Sequence, residues 1–293
     1  METAQVTQNF LLTGSVLSQV VLTIIILIVA YLIFTMLDTT MSSISELSKT
    51  KSVLLANTYS SPQTIPQGPS SGAPLIWPSS NESNGMEFSY SCHLNLSPET
   101  FNSTKAAACG AKGLGGSGNV NSVVLKHVFS KGAENSFPLM APGVFARGDV
   151  NTLRVYMNST TSWNNYVEIP NIPIGKWFHM VIMLKGKYMD VYVNGNVAIR
   201  HEFKDVPKLN FGPLYVFNNN QFPDNSSTAI KDFVVNGAAK GMISRLEYYA
   251  YALNYSQVDS LYRQGPSAKM GESVVSVTPP YLADSWWTGV RAA

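Results

Sequence analysis

Charge is what this 293-residue chain has least of. Its 20 Lys and Arg and 18 Asp and Glu make up 13% of the residues, where a soluble domain usually carries about 25%. A formal net charge of +2 gives no electrostatic footprint for nucleic acid and no pull on a strongly acidic partner. Cysteine is scarce as well. Cys92 and Cys109 match neither a zinc framework nor a redox CxxC, and a single bond between them or two free thiols both stay open. The four histidines, His93, His127, His179 and His201, stand apart from one another and from cysteine, so a zinc site has no support. No EF-hand-like loop is present. Between Thr3 and Leu37 there is no charged residue.

That last absence belongs to the longest apolar run, Val20 to Leu37, centred near Ile26. Its 18 residues, at 1.5 Å each, span about 27 Å, close to the ~30 Å hydrocarbon core of a bilayer. Residues 1–15 carry no Lys or Arg and no Ala-x-Ala follows the run. The segment therefore reads as a transmembrane helix over 16–37 behind a short N-terminal tail, 1–15, rather than as a cleaved signal peptide. Lys49 and Lys51, just C-terminal of the span, favour a cytoplasm-facing C-terminal part. Six Asn-x-Ser/Thr sequons, at Asn81, Asn95, Asn102, Asn158, Asn225 and Asn254, argue the other way, so orientation stays open.

Beyond the span, Met41, Ile44, Leu47 and Leu54 suggest a helix continuing over 38–55. Residues 56–85 hold five prolines and many serines, a composition that reads as an extended tether. Residues 38–85 are thus expected to be juxtamembrane segment and linker, with a globular domain at 86–266. A C-terminal tail, 267–293, carries Trp286-Trp287 as a strap or docking element.

Within the domain, period-2 alternation and turn residues point to short strands. These fall over Met86–Asn95, Val120–Phe129, Val144–Ala146, Thr152–Met157, Asn165–Ile169, Pro213–Phe217 and Gly241–Tyr249, with a polar loop over 218–239. Gly113 to Gly118 is a formal GxGxxG, but the β-rich run after it makes it a loop. The best-defined stretch is 176–199. Trp177–Leu184 is apolar on both faces apart from His179, Tyr188–Val193 alternates, and Asn194-Gly195 suits a type I′ hairpin. This three-strand meander is expected at the middle of a sheet with Trp177 in the core. Ser256-Gln257-Val258-Asp259 reads as a capping box opening one helix that Gly265-Pro266 stops.

The succession Trp177-Phe178-His179-Met180-Val181, Asp190 to Gly195, Gly212 to Val216, Gly241 to Tyr249 and the capped helix resembles the laminin-G-like, concanavalin A-like lectin/glucanase superfamily. The resemblance implies an all-β jelly-roll sandwich of two antiparallel sheets, here with one N-terminal transmembrane helix and one short C-terminal helix. Asn151 to Val155, Glu168 to Pro173 and Tyr249 to Leu253 are similar to members encoded by large DNA viruses of algae and protists. Catalytic members carry Glu-x-Asp-x-x-Glu, because retaining hydrolysis needs two carboxyls about 5–5.5 Å apart. Here Asp149, Glu168, Asp190, Glu202 and Asp205 are scattered. No catalytic or cofactor-binding residue is assigned, and no enzyme is expected.

Some members of the family bind calcium at the sandwich rim; Asp149, Asn151 and Asp224, with Asn218 and Asn220, offer oxygens for it here, but read more readily as ordinary turn residues, and no cofactor is expected. Trp163, Tyr166 and Phe222 could face a sugar. The expected function is a non-enzymatic virion protein anchoring capsid proteins to an internal membrane. The alternative is a membrane-anchored surface lectin binding glycans.

Overall fold

The computed structural model describes residues 16–68, 71–79, 85–102, 123–132, 139–219, 221–222 and 233–271. Its first unit is a helix, α1, Val16–Thr50. Within it Gln19–Thr40 is long and apolar enough to cross a membrane. The hydroxyls of Thr23, Thr35, Thr39 and Thr40 donate to carbonyls three or four residues back, so none is left unpaired in an apolar surrounding. Val20, Ile26 and Leu37 all lie within the candidate span.

The second unit is a β-sandwich. Its first sheet has six strands, β1 Lys51–Tyr59, β14 Gly241–Tyr249, β3 Glu87–Leu96, β8 Phe178–Lys185, β9 Tyr188–Val193 and β10 Asn196–Glu202, in that spatial order. The second is built on the order β12 Gln221–Phe222, β13 Phe233–Ala238, β4 Val123–Lys131, β5 Gly143–Arg147, β6 Thr152–Tyr156 and β7 Tyr166–Pro170. β11, Leu214–Val216, joins it by pairing with the end of β4 and with β2, Gln63–Ile65. Among the described residues, the pairings between named strands are antiparallel except that of β13 with β4. Side chains of both sheets meet in one core that includes Phe88, Leu94, Phe129, Leu153, Phe178, Ile182 and Leu246, each large side chain contributing roughly 1.5–3 kcal/mol.

The meander forms as expected. Asn194 and Gly195 both have positive φ, 51° and 80°, as a type I′ turn requires. Its position differs from expectation. β8 is internal, β10 is the edge of the first sheet, and Trp177 precedes β8 only half-buried while Phe178 fills the core. β8 is apolar on both sides because a helix covers its outer face. That helix, α2, Tyr255–Gln264, packs Val258 and Leu261 against Val181, Met183 and Tyr192. Its capping box uses Asn254 with Gln257, two residues before the expected Ser256.

Two further expectations fail. Residues 51–65 are neither helix nor tether: β1 and β2 lie in the two sheets, with Leu54, Leu55 and Ile65 buried. Register shifts between Val53 and Leu55 and between Leu55 and Thr58 break the alternation that would have marked a strand. The polar loop expected over 218–239 likewise contains β13.

Candidate functional site

The outer face of the second sheet carries the densest chemistry. Alternation in β5, β6 and β7 sends Val144, Leu153, Val155, Val167 and Ile169 into the core, leaving Phe145, Arg147, Arg154, Tyr156, Tyr166 and Glu168 on the other face. Register then sets neighbours: Phe145 is opposite Arg154, Arg154 opposite Glu168, and Tyr156 opposite Tyr166.

Arg154 is the pivot, only 3% exposed. Its Nη2 and Nε donate to Glu168 Oε1 at 2.6 and 3.0 Å, and its Nη1 donates to the Tyr156 hydroxyl at 3.1 Å. The guanidinium lies 4.1 Å from the Tyr166 ring centre, a cation–π contact. Arg147 donates through Nη1 to Glu168 Oε1 at 3.2 Å and through Nε and Nη2 to both Asp149 oxygens at 3.0 and 2.7 Å. Asp149, Arg147, Glu168 and Arg154 therefore alternate in sign along one chain of contacts. The Arg147 hydrogen bonds hold the Asp149 carboxyl below the usual carboxylate range. Phe145 and Tyr156 meet edge to face at 5.7 Å, and Tyr156 and Tyr166 lie 5.3 Å apart. Tyr166 keeps 37% of its surface open. Trp163 packs beside this cluster, its carbonyl accepting from Asn158 Nδ2 at 2.9 Å.

Of the residues singled out in the sequence, Asp149, Trp163, Tyr166 and Glu168 share this face. Asn151 donates through Nδ2 to the Ile172 carbonyl at 2.8 Å. Both Asp149 oxygens are taken by Arg147, while Asp224, Asn220 and the Phe222 side chain lie outside the described residues. Among the described residues no group of three His, Cys, Asp or Glu could hold a metal. Cys92 is buried in the core, where burial pushes its thiol up. Cys109, Trp286 and Trp287 lie outside the described residues. Two sequon asparagines are engaged by the fold: buried Asn158 holds Trp163, and Asn254 caps α2. Arg147, Arg154 and Tyr156 were missed. The signal for Arg154 and Tyr156 was present in Thr-Leu-Arg-Val-Tyr, an arginine and a tyrosine on the outward phase of an alternating strand.

The outer face of the first sheet is built differently. His93 and His179 are strand partners with ring centres 4.7 Å apart, and Tyr262 of α2 lies 6.2 Å from His179. His179 Nε2 is 2.9 Å from the Ser91 hydroxyl. Burial lowers His179 to about 3, with help from His93. Burial also lowers His93 to about 4; Arg245 adds to this, while the Tyr262 backbone and Glu247 oppose it. Beside α2 an open hollow of about 380 Å³ is lined by Tyr249, Leu253, Ser256, Gln257, Ser260 and Leu261.

Two antiparallel sheets stacked over one core, with a helix laid on one outer face, settle the architecture. The fold is a concanavalin A-like jelly roll. Residues 119–259 match the model of the concanavalin A-like lectin/glucanases superfamily. Among solved structures the chain is similar to the botulinum neurotoxin serotype D ligand-binding domain in complex with N-acetylneuraminic acid. That match has 10% identity and a TM-score of 0.44, over 73% of this chain and 42% of the other. It is also similar to the botulinum neurotoxin type G receptor-binding domain, at 14% identity and TM-score 0.40, over 62% and 38%. The chain thus spans less than half of either structure. Likeness at this level says nothing about ligands. No curated protein matches.

Proposed function

We propose that this chain is a non-enzymatic, single-pass membrane protein of a large DNA virus, whose jelly roll holds capsid proteins to an internal membrane. The observation that carries the reading is the continuity of the chain: α1 ends at Thr50 and β1 begins at Lys51. β1 is then hydrogen-bonded along β14 from Lys51–Tyr249 to Tyr59–Ile243. A load on the helix passes directly into the sheet, as a structural tether needs. In domain terms, 16–37 is the span, and the folded unit starts at β1 rather than at Met86. The absence of catalysis is supported by the carboxylates. Asp149 and Glu168 are each held by guanidinium groups, and Asp149 is pushed down, whereas a general acid needs a raised pKa.

Mass spectrometry of purified virions tests this reading. The chain should be present and should resist gentle membrane stripping; absence from particles would overturn the proposal. A second reading, a surface lectin, draws on half-open Tyr166 beside Glu168 and Trp163. It expects saturable glycan binding on an array, lost on Tyr166→Ala, and a domain on the outer side of sealed membranes in a protease-protection assay.

A further inference from the structure

Near one end of the sandwich three large apolar side chains face solvent. Trp77 is 42% exposed, Leu139 50% and Phe211 74%. Trp77 and Phe211 line one narrow crevice with Ile76, Pro78 and Leu209, and no acidic residue lines it. Leu139 is held alongside, its carbonyl accepting from Asn210 Nδ2 at 2.9 Å. Lys208 is exposed beside Leu209. Single exposed apolar residues are ordinary, but an aromatic patch of this kind marks a contact surface.

Its place in the fold indicates which surface. Ser52, the second residue of β1, donates to the Leu75 carbonyl at 2.5 Å. Tyr248, its partner in β14, donates to the Trp77 carbonyl at 2.7 Å. The patch therefore adjoins the point at which the chain passes into the sandwich. Only residues 41–50 separate the apolar span, which ends at Thr40, from Lys51. Even fully extended they reach no more than about 36 Å. Confinement this close to a bilayer makes weak insertion effective without independent affinity, and Trp is suited to the headgroup boundary, with one polar edge and an apolar body.

We propose that Trp77, Leu139 and Phe211 form a lipid-contact patch that rests in the interface of the membrane and orients the sandwich on it. The proposal depends on α1 spanning the bilayer, and the experiment separates the two. The full chain is reconstituted in vesicles of phosphatidylcholine and phosphatidylserine. A nitroxide is placed at Phe211→Cys in a Cys109→Ser background, with Ile26→Cys and exposed Tyr188→Cys as references, and its collisions with oxygen and with a water-soluble nickel chelate are compared. The oxygen-to-nickel ratio at 211 should exceed that at 188 several-fold and stay below that at 26, as an interfacial depth requires. A lipid-like label at 26 with a water-like label at 211 overturns the patch alone. Water-like labels at both overturn the span and the patch with it. A label at 211 shielded from both probes means that a second copy or another protein covers the patch, and overturns the lipid assignment.

Discussion

Two buried polar clusters, one on each outer face of the sandwich, are accommodated by opposite means, although the first face also pairs buried Asp190 with Arg200 and the second also buries His127. On the first sheet His93 and His179 lie under α2 as neutral rings, their pKa values lowered to about 4 and about 3. On the second sheet Arg154 and Glu168 keep their charges and neutralise each other, with Arg147 and Asp149 extending the chain. Burying an ionisable group requires that the charge be removed or matched. A covering helix allows the first solution, because its backbone and aromatic side chains ask for no charge. A face left partly open allows the second. The His93–His179 pair should therefore respond to acid and the Arg154–Glu168 pair to loss of a partner.

The largest effect tests the first half. A histidine whose folded pKa is depressed contributes full stability above its unfolded value of about 6.5 and loses it as pH falls toward the folded value. At pH 5 the loss is on the order of 2 kcal/mol for each of His93 and His179. The other groups facing His93 are Arg245 and Glu247 from β14 and Tyr262 from α2. Denaturation of the chain in nanodiscs between pH 7 and 5 should show this slope, and His93→Leu/His179→Leu should remove most of it. His127 on the second sheet, buried and lowered to about 3 with Nδ1 accepting from the Asn218 amide, supplies the remainder. An unchanged slope in the double variant would break the contrast.

A smaller effect tests the second half. Glu168→Gln leaves the Arg154 guanidinium without its charge partner. The expected cost is about 2–3 kcal/mol, below that of a fully buried pair because the Glu168 side chain is 33% exposed. The same substitution should leave the acid slope unchanged. A loss under 1 kcal/mol would mean that solvent, rather than Glu168, balances Arg154. Smallest is Asn254→Ala, which removes the α2 cap for about 1 kcal/mol. It should raise amide exchange in α2 and leave the second sheet unaffected.

Legibility from sequence followed local pattern. The Asn194-Gly195 hairpin, the alternation of β8 and β9, and the apolar span were all read from neighbours in the chain. β1 escaped because its register shifts destroy period 2, and β13 because it pairs parallel with the distant β4 across an apparent loop. Tyr166, Glu168, Trp163 and Asp149 were each noticed singly; their convergence was not visible.

By itself the sequence determined that this chain carries an apolar helix and a jelly roll, because strand alternation, turn residues and a long uncharged run are local properties. Tertiary structure decided the rest. Cross-strand register brought Arg154 between Glu168 and Tyr166. The same folding set Leu75 against β1, the strand that enters from the helix, and Trp77 against its neighbour β14. Both depend on pairings between residues far apart in the chain, which composition and periodicity do not encode.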